Sequence, residues 1–369
     1  MTATLTDFIQ IINDPFKSCA QTLQAFATDK FDFVLCLAGS HTSDVDGISA
    51  AGATPQLRRL TPAVDAEALV LGRTKSFAGI PVSPLGIVSP VVITRACLSG
   101  MQISPDLVDC GTFVAPQVAH KRVGITPAAC VSSGQALPFD VVRDLFEQGQ
   151  EFGATISASR KGVVIAECVP GGTSSALSLL TALGFDVRRA LSSSIPNSNH
   201  DARWALAKQG LDIAQAQSRL GNGLSMAAAV GDPMQPFVAG MMLACQTNGQ
   251  PVMLAGGSQM LAVYALACRV ALDEKLPFSG ATTVIVTTKW VALDKTAALP
   301  KLSQEIGAPL AASCPDFLKS RHAGLRAYEQ GNVKEGVGAG AAMALWSLRM
   351  GADDLMQVID ACYEEMVSV

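Results

Sequence analysis

Apolar positions along the chain fall into short unbroken runs and helical stripes, and strict alternation is rare. Phe31–Leu37, Val163–Ala166, Val252–Ala255 and Ala281–Thr287 are apolar runs bounded by glycine, proline or charged residues, as buried strands are. Ala68–Gly72, Ile87–Ile93 and Thr112–Val114 are further candidate strands. Over Pro138–Phe152 the period lengthens, with Phe139, Val142, Leu145 and Phe146 on one helical face. Residues 5–13 and 17–28 read as a helical pair split near Pro15. Beyond about residue 298, Lys301–Ile306, Asp316–Glu329, Ala339–Arg349 and Asp353–Met366 read as helices. Strands alternating with helices predict an α/β fold with a mainly parallel, doubly wound, Rossmann-like sheet. The expected division is an α/β large domain over 30–297 and a small helical subdomain built from both chain ends, 1–29 plus 298–369.

Two turns between these elements carry candidate chemistry. Residues 163–180 run from a β-branched strand through Glu167 and Pro170-Gly171-Gly172 into Thr173, Ser174, Ser175 and an Ala/Leu helix. Backbone N–H groups and hydroxyls at a helix N-terminus favour an anion such as a phosphate. A capped helix after a buried strand would look the same. The loop has neither the lysine of a Walker A motif nor the GxGxxG dinucleotide fingerprint. Residues 250–259 repeat the layout, with Gly256, Gly257 and Ser258 before an apolar helix from Met260 to about Leu272. Between the two, Asp232 is placed to cap a helix with Pro233 at its first position. Three such helix starts suit a doubly wound sheet, whose ligands bind outside the carboxyl ends of the strands.

Glu335 lies in the glycine turn Lys334-Glu-Gly336-Val-Gly-Ala-Gly340, just before another apolar helix. Desolvation there would raise its pKa toward the range of a general base. An exposed first-turn acid complementing the helix dipole would have the same spacing. Ser40 and His41 follow the first strand in Ala38-Gly-Ser-His-Thr42. A histidine among hydroxyls and aspartates suits substrate contact or a proton relay, and equally a side chain satisfied within its own loop.

Composition narrows the partners. The 31 acidic and 27 basic residues give a net charge of −4, which provides no general attraction to nucleic acid or an acidic membrane. The most apolar windows, 227–245 and 252–267, are interrupted well short of the ~20 residues that span a bilayer. No basic region precedes an apolar core at the N-terminus, so no secretory leader is expected. Ten cysteines without CxxC spacing suit small buried thiols in a reducing cytoplasm. Four unpaired histidines offer no metal-ligand spacing, and neither metal nor cofactor is expected.

Taken together, Glu-x-x-x-Gly-Gly-Thr-Ser-Ser (167–175), Gly-Asp-Pro-Met (231–234), Leu-Ala-Gly-Gly-Ser-Gln-Met-Leu-Ala-Val-Tyr (254–264) and Lys-Glu-Gly-Val-Gly-Ala (334–339) resemble the nicotinate-nucleotide:dimethylbenzimidazole phosphoribosyltransferase family, in a divergent branch of it. The blocks spread over about residues 36–345. The resemblance implies transfer of ribose 5-phosphate from nicotinate mononucleotide to a benzimidazole-type base, with inversion, giving the α-ribotide of a cobamide lower ligand. It implies Glu335 as the base that removes the azole proton, with Glu167 and the Gly171–Ser174 loop at the nucleotide. It also implies a homodimer. Ala-Gly-Ser-His-Thr at 38–42 is similar to the family's Ala-Gly-Asp-His-Gly, with Ser40 and Thr42 as departures. In the nucleotide loop, Val169 stands at a usual glycine and Gly172 at a usual asparagine. The alternatives are the same fold with another acceptor or donor, a purine acceptor for example, and a nucleotide-binding regulatory protein without turnover. A dehydrogenase would require the complete GxGxxG that this chain lacks.

Overall fold

The computed structural model describes residues 3–79, 81–83, 85–157, 162–193 and 199–368. Its strands are β1 (Ala3–Thr6), β2 (Ile9–Asn13), β3 (Asp32–Leu37), β4 (Asp106–Asp109), β5 (Lys121–Arg122), β6 (Val163–Cys168), β7 (Val252–Ala255), β8 (Thr283–Thr288) and β9 (Leu310–Ser313). They form a single sheet in the order β1-β2-β9-β8-β7-β6-β3-β4-β5. β9 through β5 are parallel, and β2 and β1 add an antiparallel edge.

The helices are α1 (Cys19–Thr28), α2 (Pro55–Leu71), α3 (Val91–Gly100), α4 (Phe139–Ser157), α5 (Gly172–Ala182), α6 (His200–Ala216), α7 (Gly223–Val230), α8 (Met234–Thr247), α9 (Ser258–Glu274), α10 (Lys289–Ala292), α11 (Leu299–Ile306), α12 (Ala323–Arg326), α13 (Ala339–Met350) and α14 (Leu355–Val367). Alternate strand residues face opposite layers. Val34, Cys36, Val163, Ile165, Val252, Leu254 and Ile285 pack with α4, α5, α8 and α9. Phe33, Leu35, Leu37, Val164, Ala166, Met253 and Val284 pack with α1, α2, α3, α13 and α14. Because both faces are covered, the parallel strands read as continuous apolar runs. The α/β class and the doubly wound, mainly parallel sheet are as the sequence indicates.

Several local expectations are corrected. Residues 5–13 form a hairpin in place of a helix, and Ile9 pairs with Ser313 of β9. Ile9, Ile11 and Ile12 are β-branched and fit a pleated surface better than a helical one. Both chain ends therefore extend the large sheet, and the terminal segments are not purely helical. Ala68–Gly72 is the last turn of α2, capped by Gly72 in the left-handed region, with Ala68 and Leu69 buried and Val70 exposed. Within Ile87–Ile93, Val88 makes only an isolated bridge with Val82, and α3 begins at Val91 after Pro90. Thr112–Val114 is loop, and Asp316–Glu329 breaks into 3-10 turns around the four-residue α12.

The site is positioned by the direction change in the sheet. From β3 the chain builds outward through β4 and β5, then crosses back so that β6 pairs with the other side of β3. The strand order reverses there, and a crevice lies outside the carboxyl ends of the strands.

Candidate active site

A cavity of about 430 Å³ occupies this crevice. Gly171, Gly172 and Thr173 come from the turn after β6, Gly257, Ser258 and Gln259 from the turn after β7, and Val333–Val337 from the segment before α13. Glu167 and Glu335 are among the carboxylates in its wall.

The turn after β6 is a close contact between two loops. Gly171 has φ +79°, and a Cβ there would lie 3.2 Å from the backbone nitrogen of Ser43. Only glycine accepts that conformation without strain. The Gly172 N–H donates to the Val169 carbonyl (2.9 Å) and the Ser174 N–H to Gly171 (2.8 Å), bringing the first turn of α5 to the cavity.

The segment before α13 is under more strain. Val333, Lys334 and Val337 all have positive φ, at 62°, 66° and 53°. The Lys334 N–H donates to the Asn332 carbonyl (2.7 Å) and the Glu335 N–H to Val333 (2.8 Å), two successive γ-turns of the rare strained type. Non-glycine residues are held there only when their surroundings fix them, and such strain concentrates at functional segments. Four contacts do so here. Thr288 Oγ1 donates to the Lys334 carbonyl (2.7 Å), and the Val337 N–H donates to the Glu167 carbonyl (3.1 Å). Lys334 Nζ lies 2.5 Å from Asp294 Oδ2 and donates to Ser192 Oγ (3.3 Å). Burial works against the Asp294 charge, yet the Lys334 ammonium, Ser192 and Thr296 bring its pKa down to about 2.

This strain aims Glu335. Its Oε1 accepts from the N–H groups of Gly336 (3.1 Å) and Gly340 (3.2 Å), and its Oε2 from Gly340 N–H and Thr287 Oγ1, both at 3.2 Å. These long bonds fix the carboxyl without fully stabilising its charge. Burial raises its pKa to about 7, against the pull of the Gly336 and Gly340 donors. Glu167 is pushed further, to about 8, by burial and then by the neighbouring Asp232 and Glu335 carboxylates. Two carboxylates near neutrality in one cavity can hold and exchange a proton at physiological pH.

Among the other residues singled out from sequence, Gly336 lies in the cavity wall, while Gly256, Ser174 and Asp232 lie behind it. Asp232 caps α8 by accepting from the N–H groups of Met234 (3.1 Å) and Gln235 (3.3 Å). It also accepts from Ser175 Oγ (2.5 Å) and Gln259 Nε2 (2.7 Å), while burial raises its pKa. Its place is structural support beneath Glu167. Ser40 and His41 do not line the cavity. Ser40 is buried and accepts from the Thr42 N–H (3.1 Å). His41 Nδ1 is exposed and 2.7 Å from Asp44 Oδ2. Their loop braces Gly171 through Ser43, so the histidine is satisfied locally.

Four residues escape a sequence reading: Asp65, Gln259, Asp294 and Thr287. Asp65 had a signal, as an acid inside the apolar run Pro62-Ala-Val-Asp-Ala. Asp294 pairs with Lys334 across 40 residues, which no local pattern records. Among the described residues no group of three or more His, Cys, Asp or Glu is arranged to hold a metal, and no helix is long and apolar enough to cross a membrane.

Fold and site together define a doubly wound α/β protein with an acidic, glycine-walled cavity at its switch point. No family model matches the chain. It is 41% identical over 332 residues to the UPF0284 protein of Cyanothece sp. (strain PCC 7425), covering 89% of this chain and 90% of the relative. It is 40% identical over 339 residues to that of Nostoc sp. (strain PCC 7120), covering 85% and 88%. The chain belongs to the UPF0284 family. Among solved structures, the fold is shared with nicotinate-nucleotide-dimethylbenzimidazole phosphoribosyltransferase from Thermus thermophilus, at TM-score 0.59 and 16% identity over 93% of this chain and 91% of that one.

Proposed function

We propose that the protein is a phosphoribosyltransferase that moves ribose 5-phosphate from nicotinate mononucleotide to a heteroaromatic base with inversion, making an α-ribotide of the kind found in a cobamide lower ligand. The observation that carries the reading is Glu335, held by long bonds in a strained turn with its pKa near 7, in the same cavity as the N-terminal turn of α5. The fold shared with the Thermus enzyme supports it.

The phosphate sits against Gly171–Thr173, where the dipole of α5 favours negative charge. The acceptor presents its ring N–H to Glu335. As the other ring nitrogen forms a bond to the anomeric carbon, the bond from that carbon to the nicotinate nitrogen breaks. The azole proton passes to the Glu335 carboxylate. The leaving group departs as neutral pyridine nitrogen, so no acid need protonate it. Catalysis then rests on alignment, which can contribute several kcal/mol, and on base assistance of roughly 10²–10⁴-fold. The C-terminal segment completes the site through Val333–Val337. A homodimer follows from the family likeness and a cytoplasmic location from the cysteine usage; a monomer in sedimentation velocity would contradict the first.

The test is incubation with nicotinate mononucleotide and a panel of azole and purine bases, following nicotinate and ribotide by mass spectrometry. Release of nicotinate with a matching ribotide is expected. Tight nucleotide binding without turnover on any base would point to a regulatory protein instead.

A further inference from the structure

One wall of the cavity is apolar, formed by residues that include Ile48, Leu57, Val64, Phe77, Val82 and Ile87. Asp65 of α2 opens into this wall although it is only 3% exposed. Its Oδ1 accepts from Ser89 Oγ (2.9 Å) and its Oδ2 from the weak donor Cys168 Sγ (3.4 Å). A carboxylate has about four acceptor positions, so the stronger part of its capacity is open. The cation in the described lining is Lys334, which is already paired with Asp294. A buried carboxylate without a cation is costly unless hydrogen-bonded.

Asp65 lies on the same side of the cavity as Glu335. Ser89, its donor, precedes Pro90, and Pro90 packs against Gly336, whose Cβ position would be 3.4 Å from Pro90 Cγ. The buried Tyr328 phenol feels both the Asp65 and the Glu335 charges, after the larger effect of burial itself. Burial lifts Asp65 to a pKa of about 6, against the Ser89 and Cys168 bonds, so the group is ionised at neutral pH. A flat ring whose N–H faces Glu335 therefore has a second polar edge within reach of an acceptor oxygen.

Resting on the phosphoribosyl-transfer reading, we propose that Asp65 is a specificity-determining residue that accepts a hydrogen bond from an exocyclic amino group of the acceptor. The acceptor is then an aminated heteroaromatic base rather than one carrying only alkyl groups. An alkyl-substituted ring would leave the carboxylate desolvated and unpaired. Sites built to hydrogen-bond a substrate group reject the analogue lacking it far more strongly than apolar pockets sort methyl groups.

The experiment uses isosteric pairs, 5-aminobenzimidazole against 5-methylbenzimidazole and adenine against 6-methylpurine, each supplied with nicotinate mononucleotide. The wild-type protein should prefer the amino member of at least one pair by roughly 100-fold or more in kcat/KM. Asp65→Leu, with the same branching but larger and without an acceptor, should bring that preference within about 3-fold, through improved use of the alkyl base. Asp65→Asn keeps an acceptor oxygen and the Ser89 contact, and should keep most of the preference should the leucine variant fail to fold. Equal use of both members of both pairs, or a preference unchanged in Asp65→Leu, would overturn the assignment. Calorimetric titration of the same pairs reads recognition without turnover. Absence of turnover on every base, with the amino preference intact in binding, would instead sink the transfer reading and leave Asp65 as a binding determinant.

Discussion

Glu67 and Glu335 are both carboxylates held by backbone donors away from bulk water, yet their environments oppose each other. Glu67 is fully buried on α2. It accepts from Ser76 Oγ at 2.5 Å, from the N–H groups of Lys75 and Ser76 at 2.6 and 2.8 Å, and from Gln117 N–H at 2.9 Å. Burial alone would raise its pKa, but these short bonds bring it below the ordinary value. Glu335 also accepts four bonds, all at 3.1–3.2 Å, and titrates near 7. Glu67 has four separate donors and Glu335 three, since the Gly340 N–H is shared between both of its oxygens. Burial set against the number and length of the bonds decides which group stays ionised and which remains ready to take a proton. Glu67 therefore serves as an anchor tying the loops at 75–76 and 117 to α2, and Glu335 as a reactive group.

The largest effect that would break this comparison is kinetic. Glu335→Gln keeps size and most hydrogen bonding but removes basicity, so turnover should fall by roughly 10²–10⁴-fold with nucleotide affinity little changed. The variant's thermal stability should stay within about 1 kcal/mol of wild type. Near-wild-type turnover would make Glu335 another anchor. The converse variant is Glu67→Ala. It strands several buried donors and should cost about 3 kcal/mol or more in denaturant unfolding, while the refolded protein keeps its turnover rate. Loss of activity without loss of stability would reverse the two roles.

A smaller effect comes from pH. Glu335 and Glu167 titrate near 7 and 8 in the folded chain, against about 4.3 for an unfolded glutamate. Between those values the folded state holds more protons than the unfolded state, so their contribution to stability falls as pH rises through that window and is constant above it. Relative to Glu335→Gln, the wild-type protein should therefore lose melting temperature between pH 5 and pH 8. An unchanged difference would mean that Glu335 is ionised throughout. The smallest effect is expected from Gly172→Ala. A Cβ there would lie 2.6 Å from Gln259 Nε2, the donor to Asp232. Displacing that amide should weaken nucleotide binding by about 10-fold in calorimetry, near 1.4 kcal/mol. Unchanged affinity would remove the α5 turn from the nucleotide site.

Legibility followed the same physics. The turns after β6 and β7 could be read because apolar runs end abruptly in paired glycines and give way to helical periodicity. Glu335 could be read because an acid at the head of a glycine-rich turn stands out. β4 could not, since it has four residues and an aspartate at each end, and β9 is a short alanine-rich run completed by pairing with the distant β2. The terminal hairpin was hidden because apolar residues at 5, 8, 9 and 12 also fit a helical stripe. In α2, Pro62 and buried acids obscure the helical period, which is why Asp65 and Glu67 went unread. Contacts that cross long sequence distances, such as Lys334 with Asp294, exist only once the sheet is assembled.

The most direct test of the central claim is the titration of the Glu335 carboxyl itself, followed by infrared difference spectroscopy on the ligand-free protein with Glu335→Gln as the reference. A carboxyl band with a midpoint near pH 7, absent from the variant, is expected. A wild-type and variant pair with identical spectra between pH 5.5 and 8.5 would contradict it, since Glu335 would then carry its charge throughout.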